Sequence, residues 1–279
     1  MSRGEGLKRR VEDIKGLPTL LRTARRLKEL ADDPSINWKN LERAIGSDPA
    51  MTAKVLRYAN SSIYGFPGRI AFLSHALILL GIDVVRSLIA STRVLDEVEE
   101  VAEELWRHSL GVSLMCRLIA ERAHLSEPDL AACAGLLHDL GKVVILSYFP
   151  RQFIAIEKLL DKEKSYGFEA ETKVLGANHA ELAGWILKEW NLPNRLWEPI
   201  AYHHSPEEAR DGREYAACIH LADILVKGAG LTFRGDVYVP PLSPLAWELL
   251  DLSITDLEDT IRDGTEQLKN LELLDPLSR

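Results

Sequence analysis

Apolar residues recur along this chain at three- and four-residue spacing, and no run of strict alternation is long enough to mark a sheet. The pattern predicts an all-α protein. Start and stop signals divide it into elements. Asp48-Pro49 reads as an N-cap followed by proline in the first turn, opening a helix through Tyr58 that ends near Asn60 and Ser61. Ser126 with Asp129 opens another, and Leu130 to Phe149 read as one helix, apolar around most of its girth at Leu130, Ala134, Leu137 and Val144. Asn178 with Glu181 three residues later forms a capping-box pattern for a helix that runs to Trp190, where Asn191-Leu192-Pro193 breaks it. Ser205, Pro206 and Glu208 repeat the device. The most apolar run, Ile70 to Ile82, is too short to span a bilayer and carries His75, so it reads as a buried helix rather than a membrane segment.

These elements suggest an N-terminal extension (1–16), a helical lobe (17–96), a second helical lobe (97–230), and a loop with a C-terminal helical segment (231–279) that packs back on the bundle. The acidic run Asp96 to Glu104 reads as a solvated helix start, and Thr232 to Pro244, with Gly235 and three prolines, as the loop. With 279 residues, 46% of them apolar, the chain can build one large core or two modest ones. A net charge of -8 and a pI near 5.6 argue against a surface that coats nucleic acid. Lys54, Arg57 and Arg69 add local positive charge around the Asp48 helix. Met51, Val55, Leu56 and Tyr58 on that helix read as core, so its cations are more simply a solvated face than a DNA-reading one. Cys116, Cys133 and Cys218 lie in apolar contexts without C-x-x-C spacing, as buried thiols in a reducing compartment do. The polar, basic stretch Met1 to Lys15 has no secretory h-region, so the expected location is the cytoplasm.

The chemistry gathers in the middle of the chain. His108, the pair His138-Asp139, His179, the pair His203-His204, and Asp223 are side chains of the types that divalent transition metals recruit. His138, Asp139 and Lys142 are polar groups set into an apolar helix, at spacings that bring them to one sector. On this helix alone, an internal Asp-Lys ion pair beside a satisfied histidine explains them as well as a metal does. His179 falls in a first helical turn and His203-His204 lie between two helices, at ends where side chains converge. Asp223, among Ala216, Ala217, Ile219, Leu221, Ile224 and Leu225, needs a buried cation or donor. His220, one turn earlier, reads as structural, and His75 and His124 fit no pattern.

The run Leu136-Leu137-His138-Asp139-Leu140-Gly141-Lys142 resembles the signature of the HD superfamily of metal-dependent phosphohydrolases. The likeness sharpens at Leu17-Pro18-Thr19, Ser47-Asp48-Pro49-Ala50, Lys54 to Ser61, Leu80-Gly81, Trp106-Arg107-His108-Ser109, Trp190 to Pro193 and His203-His204-Ser205-Pro206. Together these resemble an HDOD domain, the HD-related output domain of bacterial signalling proteins, over roughly Leu17 to Gly230. The resemblance implies two helical lobes and an output or scaffolding role, often without catalysis. It also implies His108, His138, Asp139 and Asp223 as ligands of one ion. His179, His203 and His204, with Asp139 bridging, resemble the second-metal set of the HD-GYP enzymes that hydrolyse cyclic di-GMP. Ser205-Pro206-Glu207-Glu208 departs from the Gly-Tyr-Pro stretch of those enzymes, so their substrate is not implied.

The expected cofactor is therefore a divalent metal in a binuclear site. An imidazole-rich donor set suits iron, manganese, zinc or nickel better than magnesium, and the resemblance favours iron. Two ions would lower the pKa of a bridging water to about 7 and clamp a phosphoryl oxygen. Asp139 and Lys142 are then the expected catalytic residues, the lysine holding the substrate phosphate. Because imidazole must be neutral to ligate, occupancy is expected to fall below about pH 6.5. The expected function is a signalling module acting through contacts with other signalling proteins around a retained metal site. The alternative is a metal-dependent phosphohydrolase whose ligand is a nucleotide or cyclic dinucleotide. No receiver or kinase pattern accompanies the module, so it is expected to work alone or with separately encoded partners.

Overall fold

A computed structural model describes residues 3–33, 38–92, 94–95, 99–234, 236 and 238–273. The helices run in order as α1 (Arg3–Glu12), α2 (Leu21–Asp32), α3 (Trp38–Gly46), α4 (Pro49–Ala59), α5 (Leu73–Ala90), α6 (Glu99–Arg122), α7 (Pro128–Leu137) and α8 (Leu140–Tyr148). They continue as α9 (Pro150–Glu163), α10 (Gly167–Leu175), α11 (His179–Glu189), α12 (Asn194–Ala201), α13 (Arg213–Gly228), α14 (Pro244–Leu250) and α15 (Ile254–Leu273). Apart from a two-residue parallel pairing of Thr19–Leu20 with Val94–Leu95, the described residues form an all-α protein.

Helices α2 to α5 pack on one another, and α4 also touches α7 and α8. Around the site, α6 lies against α7 and α13, while α11 lies against α8 and α12. One apolar cluster, with Leu27, Leu56, Met115, Ile119, Leu137 and Leu182 fully buried, runs continuously from Leu7 to Leu268. The N-terminal helix α1 packs on α11, where the Trp190 indole donates to Ile14 O at 3.1 Å. At the other end α14 rests on α13 and α15 on α6.

Local chemistry explains the N-terminal elements. Asp48 Oδ1 accepts from Met51 N at 2.7 Å with Pro49 in the first turn, so the cap forms where the sequence places it. Asn60 then ends α4 by folding the following loop onto itself. Its amide donates to Leu56 O and Ile70 O and accepts from the Arg69 and Ile70 backbone at 3.0 Å each. Asp48 and Asn60 thus both serve the local backbone architecture. Lys54 donates to Leu88 O at 2.7 Å, and Arg57 to Lys15 O, so these two cations close off neighbouring segments.

Several expectations are corrected. The stretch Leu130 to Phe149 is two helices, because α7 stops at Leu137 and α8 starts at Leu140, leaving His138-Asp139 at the break. Ser126 is not the cap of α7. Glu127 holds that position before Pro128, and the Ser126 hydroxyl meets the Tyr215 hydroxyl at 3.2 Å. Ser205-Pro206-Glu208 forms a single 3-10 turn with no side-chain cap. The apolar run near Ile70 belongs to the longer α5, which breaks at Gly81 (φ 73) and leaves Ile78 80% exposed, so that helix is only partly buried. Cys116 and Cys218 are buried but Cys133 is only partly so. The capping box of Asn178 and Glu181 forms as expected. Residues 96–98 of the acidic run, and Gly235, lie outside the described residues.

Candidate metal centre

Five elements deliver the seven side chains to one place: His108 from α6, His138 and Asp139 from the α7–α8 break, His179 from the start of α11, His203 and His204 from the turn after α12, and Asp223 from α13. The break matters. Asp139 is the residue preceding α8 but its carboxylate does not cap that helix, so both oxygens are free to face the centre. The approach of α11 depends on Gly141, whose missing Cβ would lie 1.9 Å from the His179 carbonyl oxygen.

Asp139 reaches two groups of imidazoles at once. Its Oδ1 is 3.1 Å from His179 Nε2, while its Oδ2 is 3.5 Å from His108 Nε2 and 3.4 Å from His138 Nε2. His108 Nε2 also lies 3.1 Å from Asp223 Oδ1 and 3.3 Å from His138 Nε2. On the other side His204 Nε2 is 3.0 Å from His179 Nε2. His203 borders both groups, converging with His179 and His204 and also with His138 and Asp139. Ligand atoms held about 2.1 Å from one ion at angles of 90–110° stand roughly 3.0–3.4 Å apart, so these separations suit coordination.

Hydrogen bonding fixes which nitrogen faces inward. A carbonyl oxygen only accepts, so Nδ1 of His108 (to Leu231 O, 2.8 Å), His138 (to Gly135 O, 2.7 Å) and His203 (to Ile200 O, 2.7 Å) carries the proton. Glu171 does the same for His179, accepting from its Nδ1 at 2.6 Å and from its backbone N–H at 2.7 Å. Each neutral ring then points a bare Nε2 lone pair at the centre. His203 Nε2, Asp139 Oδ1 and Asp223 Oδ1 are buried with no hydrogen-bond partner. Converging acceptors without donors are repulsive unless a cation joins them, so these residues fit a divalent metal.

Lys142, expected to hold a substrate phosphate, points its ammonium to Asp139 Oδ2 at 2.9 Å and Asp236 Oδ2 at 3.4 Å. It forms the internal pair that the sequence of its helix equally allowed. Three residues escaped the sequence reading. Lys227 pairs with Asp223 Oδ2 at 3.0 Å, and its i,i+4 spacing in an apolar helix is a signal that could have found it. Glu171 and Asp236 carry no local signal, because the partner of Glu171 is brought by α11 and those of Asp236 by α8 and α13. His220 has both ring nitrogens engaged, with His203 O and Ser243 N, outside the centre. His75 lies edge-on to Phe72, away from it.

Burial pushes Asp139 and Asp223 up. The His138 ring and Lys142 around the first, and Lys227 with His108 around the second, outweigh burial and hold both well below the usual carboxylate range. Burial also pushes His138 down to about 4 and His203 well below the ordinary imidazole range. Neutral rings therefore persist below the pH 6.5 expected from model peptides. In the unfolded chain both rings titrate near 6.5, so as the pH falls from there the unfolded state takes up protons that the metal-free folded state refuses. Stability should be full above about pH 6.5 and decline toward pH 4, with a loss of about 2.5 kcal/mol from His138 alone by pH 4.5. Urea midpoints of the metal-free protein between pH 8 and 4.5 measure this, and a flat profile would contradict it.

An all-helical bundle that collects imidazoles and carboxylates around a His-Asp pair at a helix break is a protein of the HD class. Residues 17–206 match the HDOD domain, and the chain belongs to that family. An uncharacterized protein of Treponema pallidum (strain Nichols) is 25% identical over 268 residues, which is 94% of this chain and 50% of that protein. The chain thus spans about half the length of that curated relative. Among solved structures, a virulence factor from Campylobacter jejuni superposes with a TM-score of 0.70 at 21% identity, covering 96% of this chain and 97% of the other. The MmoQ response regulator of Methylococcus capsulatus str. Bath gives 0.67 at 21% identity, covering 89% and 99%. An HDOD domain protein with unknown function from Geobacter sulfurreducens gives 0.57 at 26% identity, covering 95% and 97%.

Proposed function

We propose that this chain is a cytoplasmic bacterial signalling module whose output is made by contacts with other proteins, and whose centre binds a divalent metal as a structural or regulatory ligand. The observation that carries this reading is the closure of the centre. His108, His138, Asp139, His179, His203 and Asp223 are all buried, and only His204 borders an open cleft, of about 1050 Å³. Lys142 and Lys227, the cations nearest the centre, are consumed by internal carboxylates. The cleft itself is lined by three lysines and five glutamates, a poor setting for a substrate with several phosphates.

A phosphohydrolase acting on a nucleotide or cyclic dinucleotide is the second reading. It draws support from the two-sided placement of Asp139 and from Trp185, Trp197 and Tyr202 in the cleft, where a base could stack. Two ions held by the seven side chains would supply an activated water and a phosphoryl clamp. Asp139 would bridge them, with Lys142 orienting its carboxylate. The imidazole-rich set suits iron, manganese, zinc or nickel. Elemental analysis of purified protein, followed by assay on bis(4-nitrophenyl) phosphate with iron or manganese added, separates the readings. We expect bound metal that His138→Ala removes, without turnover. Turnover by the wild type that His138→Ala abolishes would overturn the signalling reading in favour of the enzyme.

A further inference from the structure

Behind the seven side chains lies a second layer that the metal reading does not use. Asp236, buried in the segment between α13 and α14, stands 3.4 Å from Lys142 Nζ and 3.1 Å from Lys227 Nζ. Its other oxygen accepts from Gly167 N at 3.1 Å, where a Cβ on Gly167 would lie 2.8 Å from the Asp236 carboxyl carbon. The two lysines in turn touch Asp139 Oδ2, the oxygen that faces His108 and His138, at 2.9 Å and the outer oxygen of Asp223, Oδ2, at 3.0 Å. The same segment supplies Leu231 O to His108. Asp236 therefore ties together, through two ammonium groups, both carboxylates of the centre.

The formal charge of this assembly follows from its members. Asp139, Glu171, Asp223 and Asp236 bring four negative charges, and Lys142 and Lys227 neutralise two of them, leaving -2 with the imidazoles neutral. One dication brings the buried cluster to zero. A second would leave +2 in a site buried except beside His204, which is unfavourable at low dielectric.

We infer that the Asp236–Lys142–Lys227 layer sets the centre for one divalent ion, and that a second ion enters only together with a small anion of the phosphate type, admitted beside His204. This inference rests on the metal-binding reading above and adds to it a ligand class and a condition. Asp236 is a positioning and charge-balancing residue, acting on the ion through the two lysines. An anion-gated second ion gives a signalling module a chemical input without turnover.

The test begins with wild-type protein stripped by a chelator and titrated with manganese in chloride buffer, with and without inorganic phosphate. Calorimetry and the electron paramagnetic resonance of manganese read stoichiometry and spin coupling. One ion per chain is expected without phosphate, and a second, with a spin-coupled signal, when phosphate is present. Two ions in chloride alone overturn the inference and leave the metal reading intact, as does a single ion under both conditions. No bound ion under either condition sinks the metal reading itself.

The variants separate charge from architecture because their signs differ. Asp236→Asn removes a negative charge and should weaken the first ion roughly tenfold or more, whereas Lys227→Met removes a positive one and should tighten it by a similar factor. A merely structural layer would make both variants weaker, and that result overturns the proposal. Lys142→Met provides the same sign test should Lys227→Met fail to fold, and the wild-type titration decides without any variant.

Discussion

Asp139→Asn is expected to strip metal from both halves of the centre, the largest functional effect of any single substitution in this chain. Asp139 alone offers one oxygen to the His179 side and the other to the His108–His138 side. An amide keeps the shape but halves the acceptors and removes the charge that attracts a dication. The loss extends to the fold, because Lys142 is buried and Asp236 is its one remaining ion-pair partner among the described residues. Breaking a buried pair from one side costs about 3 kcal/mol or more. Metal content should therefore fall below a tenth of wild type, with a matching drop in the urea midpoint. His204→Ala supplies the contrast: it removes the one half-buried ligand of the second group and should leave the first ion in place. Wild-type metal content in Asp139→Asn would contradict the two-sided placement on which the centre is built.

Gly141→Ala is expected to have the largest effect on stability. Its added methyl would sit 1.9 Å from the His179 carbonyl oxygen, 2.7 Å from the carbonyl carbon and 2.8 Å from Cα, so no side-chain rotation can relieve the contact. Helices α8 and α11 must separate. Overpacking usually destabilises by 1–3 kcal/mol, and a clash with backbone belongs at the upper end, about 3 kcal/mol. For a chain of this size that lowers Tm by roughly 6–12 °C. The shift of α11 also carries His179 away, so the His179–His203–His204 group should lose metal before the His108–His138–Asp223 group does. Gly228→Ala is the control, since nothing lies within 4 Å of the Cβ it would add, and it should be neutral or slightly stabilising. An equal loss from the two substitutions would remove the close approach as the cause.

The residues that carry these effects were legible to different degrees. Asp48, Asn178 and Glu181 act on backbone groups two or three positions away, so their roles can be read directly along the chain. The seven centre residues could be named by type, but on the α7–α8 segment alone an ion pair and a metal site were equally good explanations of Lys142. Both flanks of the His138-Asp139 break are apolar and helical in pattern, which hid the break. Glu171 and Asp236 were invisible because each matters only through a partner supplied by another element.

What the sequence by itself determined is therefore the helical period, the caps and the stock of imidazoles and carboxylates, all of which depend on interactions a turn or less in length. The tertiary structure decided which oxygen of Asp139 faces which ring, that both lysines spend their charge inward, and that α11 rests on a glycine. Those outcomes follow from packing between residues up to 94 positions apart, as Lys142 and Asp236 are, where a contact depends on the path of the whole chain.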